Sequence, residues 1–160
     1  MKTVVITGAS SGIGLDLAKA YAKQGTNVIL LARNQARLDN AVIECKNNAI
    51  DTKQSILAFS VDVTDKEQLA ACVRQVKTKV SVPDVLILSA GIIASIRFAE
   101  QTELDFEKLL KTNVMGSRAV VQAFLPDMMA NRHGNICFIS SLAGLIPTYG
   151  YSAYSASKFA

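Results

Sequence analysis

The sequence predicts an α/β fold, a doubly wound parallel sheet in strand order 3-2-1-4-5, on three observations. Short β-branched runs alternate with longer segments of helical period, the pattern of βαβ units rather than of a sandwich or a bundle. The runs are almost continuously apolar, as strands covered on both faces must be. Right-handed crossovers between five such strands lead naturally to that order.

Taken in order, the strands fall at residues 3–7, 27–32, 55–61, 85–89 and 135–140. Between them Ile13, Leu17 and Tyr21 recur at helical spacing, as do Leu38, Val42 and Cys45, then Leu69, Cys72 and Val76. A longer helix is expected over residues 106–130, kinked near its end by Pro126, before Arg132, His133 and Gly134 turn the chain into the fifth strand. The last helix starts near Ser152 and stops after about two turns, too short to persist without tertiary support. Ile136, Cys137, Phe138 and Ile139 would then form an uncovered apolar edge, a surface proteins normally pair or shield. Residues 1–160 therefore read as one domain, the N-terminal part of a longer chain cut within its sixth helix.

Composition agrees with a soluble globular domain: 160 residues, 50% hydrophobic and 19% charged. The net charge of +4 suits an anionic ligand and is too small to argue for nucleic acid. Cys45, Cys72 and Cys137 are widely separated and odd in number, so they indicate neither a disulfide framework nor a zinc site. They fit small core residues in a reducing compartment. No apolar stretch is long enough for a membrane span, and the N-terminal run is too short for a signal peptide. The expectation is a cytoplasmic protein with no metal.

Gly8, Ser10, Ser11, Gly12, Ile13 and Gly14 lie in the turn between the first strand and the first helix. Glycines there let the backbone approach a pyrophosphate at the positive end of the helix. The competing reading is a tight strand-to-helix turn, but such turns rarely need three glycines. A site for NAD places a carboxylate roughly 20 residues further on to bond the ribose hydroxyls. Here that place holds Leu31-Ala32-Arg33-Asn34. Arg33, with Ser10, Asn34 or Arg37 nearby, can meet the extra phosphate of NADP through charge-assisted bonds, against the alternative of a solvated arginine at a helix start. NADPH or NADP+ is thus expected ahead of NADH.

Tyr154 and Lys158 are four apart at the start of a helix, so both project on one face. An ammonium at that spacing favours negative charge on the phenol oxygen, which suits proton exchange with a substrate. Ser141 ends the fifth strand at the carboxyl edge of the sheet, where open α/β folds bind ligands. A lone Y-x-x-x-K is common, and its ordinary meaning is a surface pair with a half-buried ring. Convergence with the serine and the glycine turn on one edge of one fold makes the functional reading the stronger.

With these motifs, and with Asp62-Val63, Ala90-Gly91, Asn113-Val114-Met115-Gly116 and Ser140-Ser141-Leu142-Ala143-Gly144, the chain resembles the short-chain dehydrogenase/reductase family of Rossmann-type oxidoreductases over its whole length. Within the family, residues 31–34 and 149–160 look most like the 3-ketodihydrosphingosine reductases, a match that broad-specificity ketone and acyl reductases largely share. The resemblance implies hydride transfer from NADPH to a small-molecule ketone, a lipid-derived one or a wider range of ketones and 3-oxoacyl groups, giving a secondary alcohol; the rival reading is an NADP(H)-binding module, or a fragment, without turnover. It makes Tyr154 the general acid/base, Ser141 the donor that holds the substrate carbonyl, and Lys158 a ribose ligand that also stabilises charge on Tyr154. Asn113 would hold a water linking Lys158 to solvent, unless it is an ordinary polar helix residue. Asp62, with Val63 beside it, would bond the adenine amino group, against the alternative of a helix-capping aspartate. Ala90 and Gly91 would allow close backbone approach to the cofactor.

One position departs from the family pattern. After the fourth strand the family has Asn-Asn-Ala-Gly or Asn-x-Ala-Gly and this chain has Leu88-Ser89-Ala90-Gly91, so Ser89 replaces the second asparagine of the former, which implies altered bracing of the sheet and cofactor. The resemblance also implies a homodimer or homotetramer packed through the long helix and the last one. His133, alone in a polar turn, Met115, Met128 and Met129 on the long helix, and Lys77 and Lys79 at a helix end read as structural.

Overall fold

The computed structural model describes residues 1–160. Five strands, β1 (Thr3–Thr7), β2 (Asn27–Ala32), β3 (Ile56–Ser60), β4 (Val85–Leu88) and β5 (Asn135–Phe138), pair in parallel in the order β3-β2-β1-β4-β5. The helices are α1 (Gly12–Ala22), α2 (Gln35–Asn48), α3 (Lys66–Lys79), α4 (Glu103–Leu110), α5 (Ser117–Ala130) and α6 (Ser152–Phe159). The third, fourth and fifth strands are each slightly shorter than expected, although Ser55, Val61 and Ile139 just outside them still bond to the neighbouring strand.

The strands are apolar throughout because alternate side chains enter two different cores. Val5, Ile29, Leu31, Leu86 and Leu88 pack with Val73 and Val76 of α3 and Phe124 and Met128 of α5. Val4, Ile6, Val28, Leu30 and Ile87 pack with Ala18 and Ala22 of α1 and Leu38, Ala41 and Cys45 of α2. Every residue of β1 is buried, so the central strand holds the two layers together. At the edge, Ile136 packs against the first core while Cys137 and Phe138 are exposed.

Helix starts follow local chemistry. Asn34 caps α2 by accepting from the Arg37 N–H at 2.9 Å, and Asp65 caps α3 by accepting from the Gln68 N–H at 2.9 Å. Thr102 and Asp105 form a reciprocal capping box on α4. Ser11, in contrast, makes no side-chain cap on α1, which leaves the first N–H groups of that helix facing outward.

The expected long helix is built differently from its prediction. Its helical run begins at Glu103 and carries a π-helical segment at Lys111–Gly116, and Pro126 lies inside α5. Two contacts accompany the wider turn. The Ser117 hydroxyl donates to the Asn113 carbonyl at 2.9 Å, and Gly116 lies so close to Val63 that a Cβ there would be 2.7 Å from its Cγ2. The short α6 gains the tertiary support that its length demands by packing on α4 and on the 3₁₀ turn Leu142–Gly144. No helix is long and apolar enough to cross a membrane.

Candidate active site

A cleft of about 670 Å³ opens at the carboxyl ends of the central strands. One wall is the turn after β1, where Gly8, Ser10, Ser11, Gly12 and Ile13 line the cleft. Gly14 lies beneath it, buried: a Cβ there would sit 2.5 Å from the Gly8 carbonyl oxygen, so only glycine lets the turn fold back on the helix start. Gly8 approaches the next strand as closely, its Cβ position being 2.8 Å from the Ala90 nitrogen. The turn is stitched to β2 by the Ala9 N–H, which donates to the Leu31 carbonyl at 3.3 Å. With the uncapped start of α1 this makes a concave row of N–H donors at a positive helix end, the shape and charge that a pyrophosphate requires.

Thr7 joins this wall to the next, a role that the sequence reading missed. Its buried hydroxyl accepts from the Ser89 N–H at 3.1 Å and the Ala90 N–H at 3.0 Å. The bracing after β4 thus comes from Thr7 and backbone, and the serine that departs from the family pattern lines the cleft between Thr7 and Ala90. Ala90 and Gly91 line it too.

At the far end Arg33, Asn34 and Arg37 line the cleft with exposed side chains, opposite Asp62 and Val63. Asp62 does not cap α3, since Asp65 does. Burial pushes the Asp62 carboxyl up, but the Thr64 N–H and hydroxyl, each 2.8 Å from its Oδ1, together with the charges of Arg33 and Lys111, hold it below the usual carboxylate range. The carboxylate is therefore ionised at neutral pH and available as an acceptor.

Tyr154 and Lys158 line the opposite end. The Lys158 Nζ stands 5.9 Å from the Tyr154 ring centroid and donates to the Ile139 carbonyl at 2.8 Å. An ammonium carries three donors, so two remain for a ligand. Tyr151 supports the ring edge-on, at 6.1 Å between centroids. Ser141 is half-buried beside the cleft, and the residue lining it is the neighbouring Ser140. The Ser141 Oγ accepts from the Ala143 N–H at 3.2 Å, which leaves its own proton free to donate. Asn113 is buried behind the wall, its side chain bonded to both backbone groups of Ile92. Ile92, Ile93, Thr112 and Ile139 line the cleft without having been singled out from the sequence, and so does Ser140, which the sequence offered only as the first residue of the Ser140–Gly144 motif. Their signal is only adjacency to Gly91, Asn113 and Ser141.

His133 lies at the other end of the sheet, its Nε2 3.0 Å from Asp84 Oδ1 in a structural turn. The fit of the cleft to a dinucleotide is direct: a glycine cradle that a Cβ would fill, cations at one end, and a lysine and tyrosine at the other.

Known proteins with this arrangement are numerous. The chain is 39% identical over 158 residues to 3-ketodihydrosphingosine reductase of Bos taurus, covering 98% of this chain and 48% of that protein. It is 41% identical over 159 residues to 3-dehydrosphinganine reductase of Danio rerio, again covering 98% of this chain and 48% of that one. It thus spans about half the length of the curated relatives that it matches. Its fold superposes on a variant of actinorhodin polyketide ketoreductase crystallised with NADPH, with a TM-score of 0.92 and 28% identity, over 99% of this chain and 60% of the other. The short chain dehydrogenase family matches residues 2–160, and to that family this chain belongs.

Proposed function

We propose that this protein is an NADPH-dependent reductase that converts a ketone to a secondary alcohol, with a long-chain ketone such as 3-ketodihydrosphingosine as substrate. The observation that carries the proposal is the pairing of Tyr154 with Lys158 at one end of a cleft whose other end presents the glycine cradle and Arg33. The relatives named for 3-ketodihydrosphingosine reduction supply the substrate class.

Gly8, Gly12 and the free N–H groups of α1 hold the pyrophosphate, with Ser10, Ser11, Ile13 and Gly14 shaping that turn. Arg33 binds the 2′-phosphate by charge-assisted hydrogen bonds, and Asp62 with Val63 receives the adenine. Ala90 and Gly91 let the chain pass close to the ribose, and the two free donors of Lys158 reach its hydroxyls. Bound NADPH supplies the hydride for the carbonyl carbon. Ser141 donates its free proton to the carbonyl oxygen and holds it in place. Tyr154 donates the phenolic proton as negative charge develops on that oxygen, and the Lys158 ammonium stabilises the phenolate left behind. Asn113 holds the wall behind Lys158, beside the route by which the proton is replaced.

The test is NADPH oxidation by the full-length protein with 3-ketodihydrosphingosine and with simpler 3-oxoacyl ketones, NADH serving as the control cofactor. Tyr154→Phe is expected to reduce kcat at least about 10²-fold, the scale of a lost general acid, while NADPH still binds. A variant with full activity would remove Tyr154 from this role. Equal turnover of every ketone would favour a ketoreductase of broad specificity. Cofactor binding without turnover of any ketone would leave a nucleotide-binding module.

A further inference from the structure

We infer that Ser157 is a positioning residue of this site, fixing the Asn113 amide and the helical turn that carries Tyr154 and Lys158 as one hydrogen-bonded unit. The inference rests on the roles proposed above for Tyr154 and Lys158. Ser157 lies immediately before Lys158 and is 5% exposed. Its hydroxyl donates to the Tyr154 carbonyl at 2.7 Å. Such a bond within a helix is common by itself. Its consequence here is that the only proton on the oxygen is committed, so the oxygen must accept from any further partner. That partner is Asn113 Nδ2, at 2.9 Å.

This polarity decides which way the Asn113 amide faces. With Nδ2 toward Ser157, the same nitrogen donates to the Ile92 carbonyl at 2.9 Å and Oδ1 accepts from the Ile92 N–H at 2.8 Å. Both N–H donors and the oxygen of a buried amide are thereby satisfied. The reversed amide would set one donor against the Ile92 N–H and leave Ser157 without a proton to accept. Ser117 holds the Asn113 carbonyl from the other side at 2.9 Å.

The clamp ends where the chemistry is proposed. Ile92 forms part of the cleft wall, and a Cβ on the adjoining Gly91 would lie 3.3 Å from Asn113 Oδ1 and 3.9 Å from Lys158 Nζ. Removing the Ser157 hydroxyl frees the Tyr154 carbonyl and strips a partner from the Asn113 amide at this end of the cleft. The glycine cradle at the other end is untouched. The effect should therefore appear in turnover rather than in cofactor affinity.

The experiment compares Ser157→Ala, Ser157→Thr and Ser157→Cys in the full-length protein, each with NADPH and 3-ketodihydrosphingosine across the pH range. Ser157→Ala is expected to lower kcat about tenfold or more, with KM for NADPH changed less than about threefold, as misplacement of reacting groups does. It should also displace the midpoint of the pH–kcat profile, and Ser157→Thr, which keeps the hydroxyl, should recover most of the loss. An unchanged kcat and pH profile in Ser157→Ala would overturn the assignment. So would a threonine variant as impaired as the alanine one, because side-chain volume would then be the cause. Should the alanine variant fail to fold, Ser157→Cys fills the same space with a weak hydrogen-bonding group and takes its place in the comparison. Tyr154→Phe, measured alongside, separates the two levels. An inactive Tyr154→Phe with a normal Ser157→Ala removes only the role of Ser157, whereas an active Tyr154→Phe removes the reading beneath it.

Discussion

Gly12 and Gly14 stand two residues apart in the same turn and resist substitution for different reasons. At Gly14 the obstacle is contact, since a Cβ would meet the Gly8 carbonyl; Gly14→Ala should cost about 1–3 kcal/mol in a urea melt, as overpacking does, and should abolish NADPH binding. At Gly12 there is open space and the obstacle is the backbone, with φ at +53°. Gly12→Ala should cost about 1–2 kcal/mol for the left-handed conformation and should weaken NADPH by placing a methyl in the cleft. Titration of cofactor fluorescence with each variant distinguishes the two. Arg33 is exposed, so Arg33→Ala should leave stability unchanged and reduce the preference for NADPH over NADH by about ten- to a hundredfold, the worth of hydrogen bonds to a charged group. Equal kcat/KM ratios for the two cofactors before and after the substitution would remove Arg33 from the phosphate site.

At the scale of the element, three helix starts are closed by side chains and three are not: α1, α5 and α6 carry no side-chain cap, and of these the α1 start, with Gly12 and Ile13, lines the cleft. Asn34, Asp65 and the Thr102–Asp105 pair close α2, α3 and α4, whereas the open start of α1 faces the cleft. The closed ends are structural and the α1 start is available to an anion. The Thr102 hydroxyl and N–H hold the exposed Asp105 carboxyl below its ordinary value of 3.8. Because the folded value is the lower one, the stabilisation is present above the ordinary value and disappears as pH falls through the lowered one. Thermal melts from neutral to strongly acid pH should show Asp105→Asn losing this component of the acid dependence and no more. The π-helical segment is the other informative element, because it spaces Asn113 and Ser117 so that one residue bonds forward to Ser157 and is itself held from behind.

For the whole molecule, the arrangement of two cores about one sheet ties stability to the strands that also form the cleft. Phe124 is 1% exposed in the core beneath β4, and Phe124→Ala should destabilise the protein by about 3–5 kcal/mol in denaturant. Cofactor should oppose such losses by mass action, adding about 2.7 kcal/mol at a hundredfold excess over Kd. A thermal shift with NADPH in the parent protein and none in Gly14→Ala would place the binding energy in the glycine turn.

Local pattern was enough to determine the strands, the glycine turn and the Tyr154–Lys158 pair, and the handedness of crossovers then ordered the strands. Strands buried on both faces must be apolar throughout, a turn over a pyrophosphate must lack Cβ atoms, and residues four apart on a helix must share a face. Each of these requirements acts over a few residues and leaves its mark in adjacent positions. The tertiary structure alone decided that Thr7 braces the β4 turn, that Lys158 meets the Ile139 carbonyl, and that Ser140 rather than Ser141 lines the cleft. It also decided that the long helix widens at Asn113, and that Asn113 meets Ser157 across 44 residues of sequence. Hydroxyls and amides satisfy one another wherever folding brings them together, so no spacing along the chain encodes those partners.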